Sequence, residues 1–351
     1  KWCSSDGKQV RTGLLLLAVC VEYCASAFSN LFDSLQQVVE AHIDSENYKI
    51  KIAAVELHRQ IVLANQSSQK ENQNENEDEN SFQLQLLSVD KLIELVKQKE
   101  TTKTGCELLN WYLAEYFELF NPDDEGLAKI SDEMINVIIS YHAMYKEASE
   151  SLYLALSNFK DLSNVNFFFD NNKEVIYSIF TEEFGSTSVE KTIIAIMRIF
   201  VLLIFNIVDE NLINEDFDII LKNVLLFIWR AQEYSKDLDE EESKKKRNEF
   251  RDSTDKALES VRHKVDVDTF TRIWTSILEE DKERKKREMI ERQVEEELEP
   301  EAYRKRVQEE REKKREEERR KRYLNDGQKA TLHPFGIDGK RVESVPLAPE
   351  F

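Results

Sequence analysis

The stretch from Val265 to Leu278 reads V-D-V-D-T-F-T-R-I-W-T-S-I-L, and a charged run continues from it to Tyr323, interrupted at Glu299-Pro300-Glu301. Phe270, Trp274 and Leu278 recur at every fourth position, the spacing of one face of a helix. From Glu279 to Arg322, 34 of 44 residues are charged, 17 acidic and 17 basic. Opposite charges stand four apart in Glu283 with Arg287, Glu288 with Arg292 and Glu309 with Lys313. Each such pair stabilises an exposed helix by roughly 0.2–0.5 kcal/mol, so the spacing predicts a long solvated helix. Pro300 removes a hydrogen bond from a straight helix but suits the first turn of a new one, so a bend is expected at Glu299. Ile290, Val294, Leu298, Tyr303 and Val307 form a thin apolar stripe, too sparse for the sustained a and d heptads of a long coiled coil. With Phe270 and Trp274 they make the candidate partner-docking surface.

Working outward, the 351 residues hold only eight Gly and five Pro, and the 41% that are hydrophobic fall mostly at helical spacing. That predicts an all-α chain long enough to bury a sizeable core. The formal net charge is −20. Glu279 to Arg322 sums to zero and Asn325 to Phe351 to −1, so the acidity lies almost entirely before Glu279. Wrapping of nucleic acid by that part is disfavoured, because phosphate binding needs a cationic surface that releases counterions.

Apolar residues fill Leu14 to Phe28, and Asp44 or Ser45 can cap a second helix in which Ile50, Ala53, Ala54, Leu57 and Ile61 share one face. The fragment I-K-I-A-A-V-E-L within it looks like the inner helix of a HEAT-type repeat, a unit that buries its face only by stacking on neighbours. Gln66 to Asn80 is polar and has nothing to bury, so a disordered insert is expected. Seven apolar segments follow, beginning at Leu84, Leu108, Ile130, Leu152, Ile176, Ile193 and Phe217, with turns expected at Asn121 to Asp124, Asp161 to Asn172 and Gly185-Ser186. Phe167 to Phe169 is expected as a short strand or buried loop. The apolar run Ile193 to Val208 has 16 residues and carries Arg198 and Asn206. Membrane spans need about 20 apolar residues, which favours a central core helix here. The expected organisation is a helical hairpin over 1–65, an insert over 66–81, helical repeats over 82–235 and a charged connector over 236–255. A last amphipathic hairpin over 256–278, the charged helix over 279–323 and an extended tail over 324–351 complete it. As a fold class this is an all-α, HEAT/armadillo-like α-solenoid leading into a long charged helix.

The chemistry-bearing residues are sparse. Cys20 and Cys24 stand one turn apart in an apolar segment while Cys3 and Cys106 are isolated, so core thiols in a reducing compartment are expected. His42, His58, His142, His263 and His333 share no ligand spacing with them, so no metal site is expected. The sequence has no Gly-rich phosphate loop, no paired His with Glu on one helix and no G-x-S-x-G, and the expectation is a non-enzyme without cofactor or small-molecule substrate. Lys1 to Ala27 mimics a secretory signal, but Glu22 follows the apolar run directly and the helical pattern continues through Leu35, so a helix within a longer protein is expected. Basic clusters are Lys285-Lys286-Arg287, Arg304-Lys305-Arg306, Lys313-Lys314-Arg315 and Arg319-Arg320-Lys321-Arg322, the candidate phosphate-binding positions. Lys244, Lys245, Lys246 and Arg247 fit a short nuclear-import signal.

The order from Asp255 to Arg322 carries a resemblance. A helix ends near Lys264, Phe270-Thr271-x-x-Trp274 follows, then Glu283 to Arg287, Ile290, Pro300-Glu301-x-Tyr303-Arg304-Lys305 and E-K-K-x-E-x-x-R-R-K-R. This resembles the C-terminal region of the giant HEAT-repeat family of the small-subunit processome. The resemblance implies a scaffold in the nucleus and nucleolus, part of a large complex with pre-ribosomal proteins and pre-ribosomal or small nucleolar RNA, and away from membranes. The family's terminal helix is strongly basic, whereas Glu295 to Glu297 and Glu316 to Glu318 neutralise this one. A generic helical-repeat adaptor of transport or cytoskeletal assemblies, with the charged helix as a spacer, is the alternative.

Overall fold

The computed structural model describes residues 7–72, 85–182, 187–234 and 244–298, with single positions at 308, 311, 312, 315 and 319. Among the described residues all regular structure is helical, with no strand. The chain divides into two compact units, Lys1–Ile277 and Leu278–Phe351. In chain order the helices are α1 (Gly7–Tyr23), α2 (Ala25–Phe28), α3 (Phe32–Ile43), α4 (Tyr48–Asn72), α5 (Val89–Lys97), α6 (Thr102–Glu115) and α7 (Phe117–Phe120). They continue as α8 (Asp124–Ser140), α9 (Tyr145–Ser157), α10 (Leu162–Ser178), α11 (Thr187–Asp209), α12 (Glu215–Tyr234), α13 (Lys244–Lys264) and α14 (Val267–Leu298).

Local chemistry sets the boundaries. Asn47, rather than Asp44 or Ser45, receives the start of α4, its Oδ1 accepting from the Lys49 N–H at 3.1 Å. Asp44 instead closes α3, its N–H donating to the His42 carbonyl. Asn121 adopts the left-handed conformation that ends α7 (φ 38°), and Asp123 caps α8 by accepting from the Gly126 N–H at 2.8 Å. The α5–α6 turn is stapled by two hydroxyls, Thr101 Oγ1 donating to the Leu95 carbonyl at 2.5 Å and Thr102 Oγ1 to the Val96 carbonyl at 2.8 Å. They satisfy carbonyls that a helix end leaves without partners.

In the first unit α4 packs against both α1 and α3, and the face Ile50, Ala53, Ala54, Leu57, Ile61 is buried as the spacing predicts. From α5 onward the helices alternate between two series. α6, α9, α11 and α13 each lie against the next of their series, and α5, α8, α10 and α12 do the same. Aromatic packing joins the series: Phe200 of α11 meets Phe169 of α10 at 4.9 Å and Phe227 of α12 at 5.3 Å between ring centroids. Polar links run along each series. Asn164 donates to Asp124 at 3.1 Å and Asn172 to Asp132 at 2.5 Å, and Asn166 bonds Asp216 at 2.8 Å. Lys129 pairs with Asp90, Lys97 with Glu133 and Lys264 with Asp209. Most of these polar links lie between successive members of one series, while Gln232 of α12 bonds Asp255 of α13 across the two.

Several expectations change. Asp161 to Asn172 is helix, not turn: Asp161 caps α10, accepting from the Ser163 N–H at 3.0 Å, and Phe168 and Phe169 lie buried on its face, so no strand forms there. Asn164, Asn166 and Asn172, of a residue type that favours turns when unpartnered, are engaged with Asp side chains of neighbouring helices. Helix α4 runs through Asn72, so the polar stretch from Gln66 begins as helix; lacking apolar residues, it has nothing to bury but is free to coil. Gln66 accepts from Tyr116 Oη at 3.0 Å. The charged connector over 236–255 is helical from Lys244, and it buries Phe250 and Thr254. Among the described residues Cys20 and Cys24 are exposed and Cys106 is the one core thiol; Cys20 points outward because α1 turns its Val10, Leu14, Ala18 and Val21 face inward. Helix α11 includes a span, Ser188–Asp209, long and apolar enough to cross a membrane, so length does not set it apart. Half of its apolar window is buried inside the fold, with Ile193, Ile196, Phe200, Leu203 and Ile207 turned inward. The rest of the insert, the bend at Pro300 and the tail over 324–351 lie outside the described residues.

Candidate docking surface

Helix α14 starts on a well-formed cap: Asp266 Oδ2 accepts from the backbone N–H groups of Asp268 and Thr269, both at 3.1 Å. Phe270, Ile273 and Ile277 then recur at helical spacing and are buried in the first unit. Phe270 is only 7% exposed and stacks on Trp274 at 6.1 Å, 15° from parallel. These two residues, expected to face a partner, thus divide: Phe270 belongs to the core, since it falls on the same face as Ile273 and Ile277, while Trp274 is half-buried. Arg272 adds an ion pair to Asp218 of α12 at 2.6 Å.

In the second unit the apolar stripe is open to solvent. Ile290 is 44% exposed, Val294 46% and Met289 55%. Met289 was not part of the stripe read from the i, i+4 series, but it adjoins Ile290. Tyr303 and Val307 lie outside the described residues, as does the side chain of Leu298.

The charges pair differently from the simple four-residue series. Asp281 receives both Arg284 at 2.5 Å and Lys285 at 2.8 Å, and Arg284 also reaches Glu288 at 2.5 Å. Partial burial pushes the Asp281 carboxyl up, but the hydrogen bonds from Lys285 and Arg284 and their charges outweigh it and hold it below the usual carboxylate range. Lys285 is therefore engaged, whereas Lys286 and Arg287 are exposed and form no ion pair among the described residues. Arg315 and Arg319 are exposed; Arg304, Lys305, Arg306, Lys313, Lys314, Arg320, Lys321 and Arg322 lie outside the described residues. Lys244 to Arg247 form the first turn of α13.

Two further features escaped the sequence reading. Leu16, Val19 and Tyr23 make an exposed apolar edge on α1, hidden within a run that is apolar on all sides. A cavity of about 200 Å³ lies among α3, α4 and the segment 85–88, lined by Gln36, Asp44, His58 and Lys91 among others. Tyr112 Oη accepts from the Leu87 N–H at 3.3 Å and shares a hydrogen bond with His58 Nε2. Burial lowers the His58 pKa to about 4 and raises that of Tyr112, keeping both neutral. Gln36 donates to the Gln85 carbonyl at 3.2 Å, and its Oε1 is buried without a partner. A lone His and a Tyr separated by 54 residues give no sequence signal of such a pair. No cluster of three or more His, Cys, Asp or Glu side chains able to hold a metal occurs among the described residues. No protein-family model, curated protein or solved structure is significantly similar to this chain.

Proposed function

We propose that this chain is a non-catalytic scaffold subunit of the nucleolar small-subunit processome, an α-solenoid of HEAT/armadillo type whose α14 is a docking arm for neighbouring assembly proteins. The observation that carries the solenoid reading is the spacing of polar links. From Lys97 with Glu133, 36 residues apart, to Lys264 with Asp209, 55 apart, most of them join residues about one repeat length away. HEAT and armadillo repeats are about 40–47 residues long, so this is the step at which one two-helix repeat would meet the next. Leu87 with Tyr112 and Gln232 with Asp255 are shorter, at 25 and 23.

The processome assignment rests on the resemblance over Asp255 to Arg322. The arm joins protein neighbours through Met289, Ile290 and Val294, and touches phosphate only where exposed cations such as Lys286 and Arg287 are uncommitted. The zero net charge of Glu279 to Arg322 favours a second reading, a helical-repeat adaptor of another large assembly with no RNA contact.

Replacing Ile290 and Val294 by Ser is expected to release tagged protein from particles that contain pre-ribosomal RNA, as measured by co-sedimentation in nucleolar extract. Neutralising Lys286 and Arg287 is expected to weaken the association moderately and to flatten its salt dependence by about one contact per phosphate charge lost. If the stripe variant stays on the particle and the cluster variant leaves, the arm binds RNA. If the wild-type chain stays in the cytoplasm, the adaptor reading replaces the processome one.

A further inference from the structure

We infer that the exposed part of α14 pairs antiparallel with the same helix of a second copy of this chain. The inference rests on α14 being a docking arm and names what docks there. Along the helix the charges are segregated: Lys282, Arg284, Lys285, Lys286 and Arg287 with Glu283 give a net +4, of which Arg284 and Lys285 are paired with Asp281, and Glu288, Glu291, Glu295, Glu296 and Glu297 with Arg292 give −4. The exposed apolar residues between Lys282 and Glu297, Met289, Ile290 and Val294, sit at and just beyond the junction between these halves.

The face is shared. Lys286, Ile290 and Val294 succeed one another every fourth position, Arg287 stands three before Ile290, and Glu297 three after Val294. Residues three or four apart lie on one side of a helix, so the apolar centre and the basic end face the same way, and the acidic end follows at the same spacing in sequence. A two-fold axis near Arg292 opposes Ile290 to Val294 of the second copy and Lys286-Arg287 to its Glu297. The interface is then isologous, each copy giving both halves. Parallel pairing would instead set basic half against basic half, and like charges in contact are what interfaces use to reject wrong arrangements.

The acidity of the chain, −20 in all, lies before Glu279, while Lys282 to Glu297 sums to zero, so the pairing segment adds no repulsion of its own. Three apolar residues per copy make a contact well below the roughly 1,600 Å² of a stable interface. The pair is therefore weak and sensitive to salt, unlike a long coiled coil.

Sedimentation equilibrium of the full chain tests this. At about 0.1 M salt, where charges interact over roughly 10 Å, dimer is expected to accumulate at about 100 μM protein and to be lost near 0.5 M. Lys286→Glu with Arg287→Glu, and separately Glu296→Lys with Glu297→Lys, are each expected to weaken the dimer about tenfold or more. An equimolar mixture of the two variants is expected to recover it, because each supplies the charge the other lost; unchanged circular dichroism confirms that each folds. A wild-type chain that stays monomeric at low salt, or a dimer indifferent to either variant, overturns the self-pairing. Either result leaves the docking reading to be judged by the Ile290 and Val294 variants in extract.

Discussion

His58 is the residue whose chemistry the fold alters most plainly. It is hydrogen-bonded to Tyr112 in the interior, and burial lowers its pKa to about 4, below the ordinary 6.5. The unfolded chain therefore binds a proton there between those two values that the folded chain does not. The stability this provides is complete above pH 6.5 and is lost as pH falls towards 4, a difference on the order of 3 kcal/mol. Denaturant titrations at pH 7 and 4.5 are expected to show a smaller drop in stability for His58→Gln than for wild type, with the many surface carboxylates common to both. Equal drops would mean that His58 is not held neutral. Neither His58 nor Tyr112 announced this role, because periodicity finds a buried face but not which polar groups on it meet. Cys106 and the pair Cys20 and Cys24 teach the same point. All three were expected in the core, yet Cys20 and Cys24 are exposed, whereas Cys106 is buried and burial pushes its thiol up to about 12. A run apolar on both faces leaves open which face turns inward.

At the scale of the element, helices were legible where apolar residues recur and misread where polar ones bridge helices. Six of the seven expected apolar segments fall on helices between α5 and α12 because Leu, Ile and Phe mark each buried face, while the one from Ile176 meets only the last turn of α10; the Asn-Pro-Asp turn before α8 follows from its backbone chemistry. Helix α10 was placed too late because Asn164, Asn166 and Asn172 look like turn residues until their Asp partners, 40 to 50 positions away, are known. The start of α13 was hidden likewise: Lys244 to Arg247 read as a solvated connector, although they lead into the buried Phe250. One close helix approach is just as invisible in sequence. A Cβ on Gly105 of α6 would stand 2.9 Å from both the backbone N and Cγ2 of Val96 and 3.1 Å from the Leu95 carbonyl carbon, on a turn fixed by Thr101 and Thr102. Backbone cannot yield as a flexible side chain does. Gly105→Ala is expected to destabilise the protein by about 1–3 kcal/mol despite its better helix propensity, measured by thermal or urea unfolding. A stabilised variant would show that α5 and α6 are less tightly joined.

At the scale of the whole first unit, the question is whether stability is local or shared. A stack of repeats behaves almost as a one-dimensional chain in which each unit feels its neighbours, whereas a single closed core loses everything together. Phe200 discriminates between these. It is fully buried at the middle of α11 and touches Phe169 and Phe227, so it joins both helix series. Phe200→Ala is expected to cost about 3–5 kcal/mol locally, the usual range for an aromatic truncation in a core. The α1–α4 bundle meets the later helices through α4 against α6 and through side-chain bonds such as His58 with Tyr112, Gln66 with Tyr116 and Lys51 with Glu94. None of these passes through Phe200. Amide hydrogen exchange in the variant is therefore expected to lose protection in α9 to α13 and to keep it in α4 near Ala54, Leu57 and Ile61. A uniform fall in protection from α1 to α13 would indicate one cooperative core, and would count against the stacked-repeat architecture on which the scaffold reading depends.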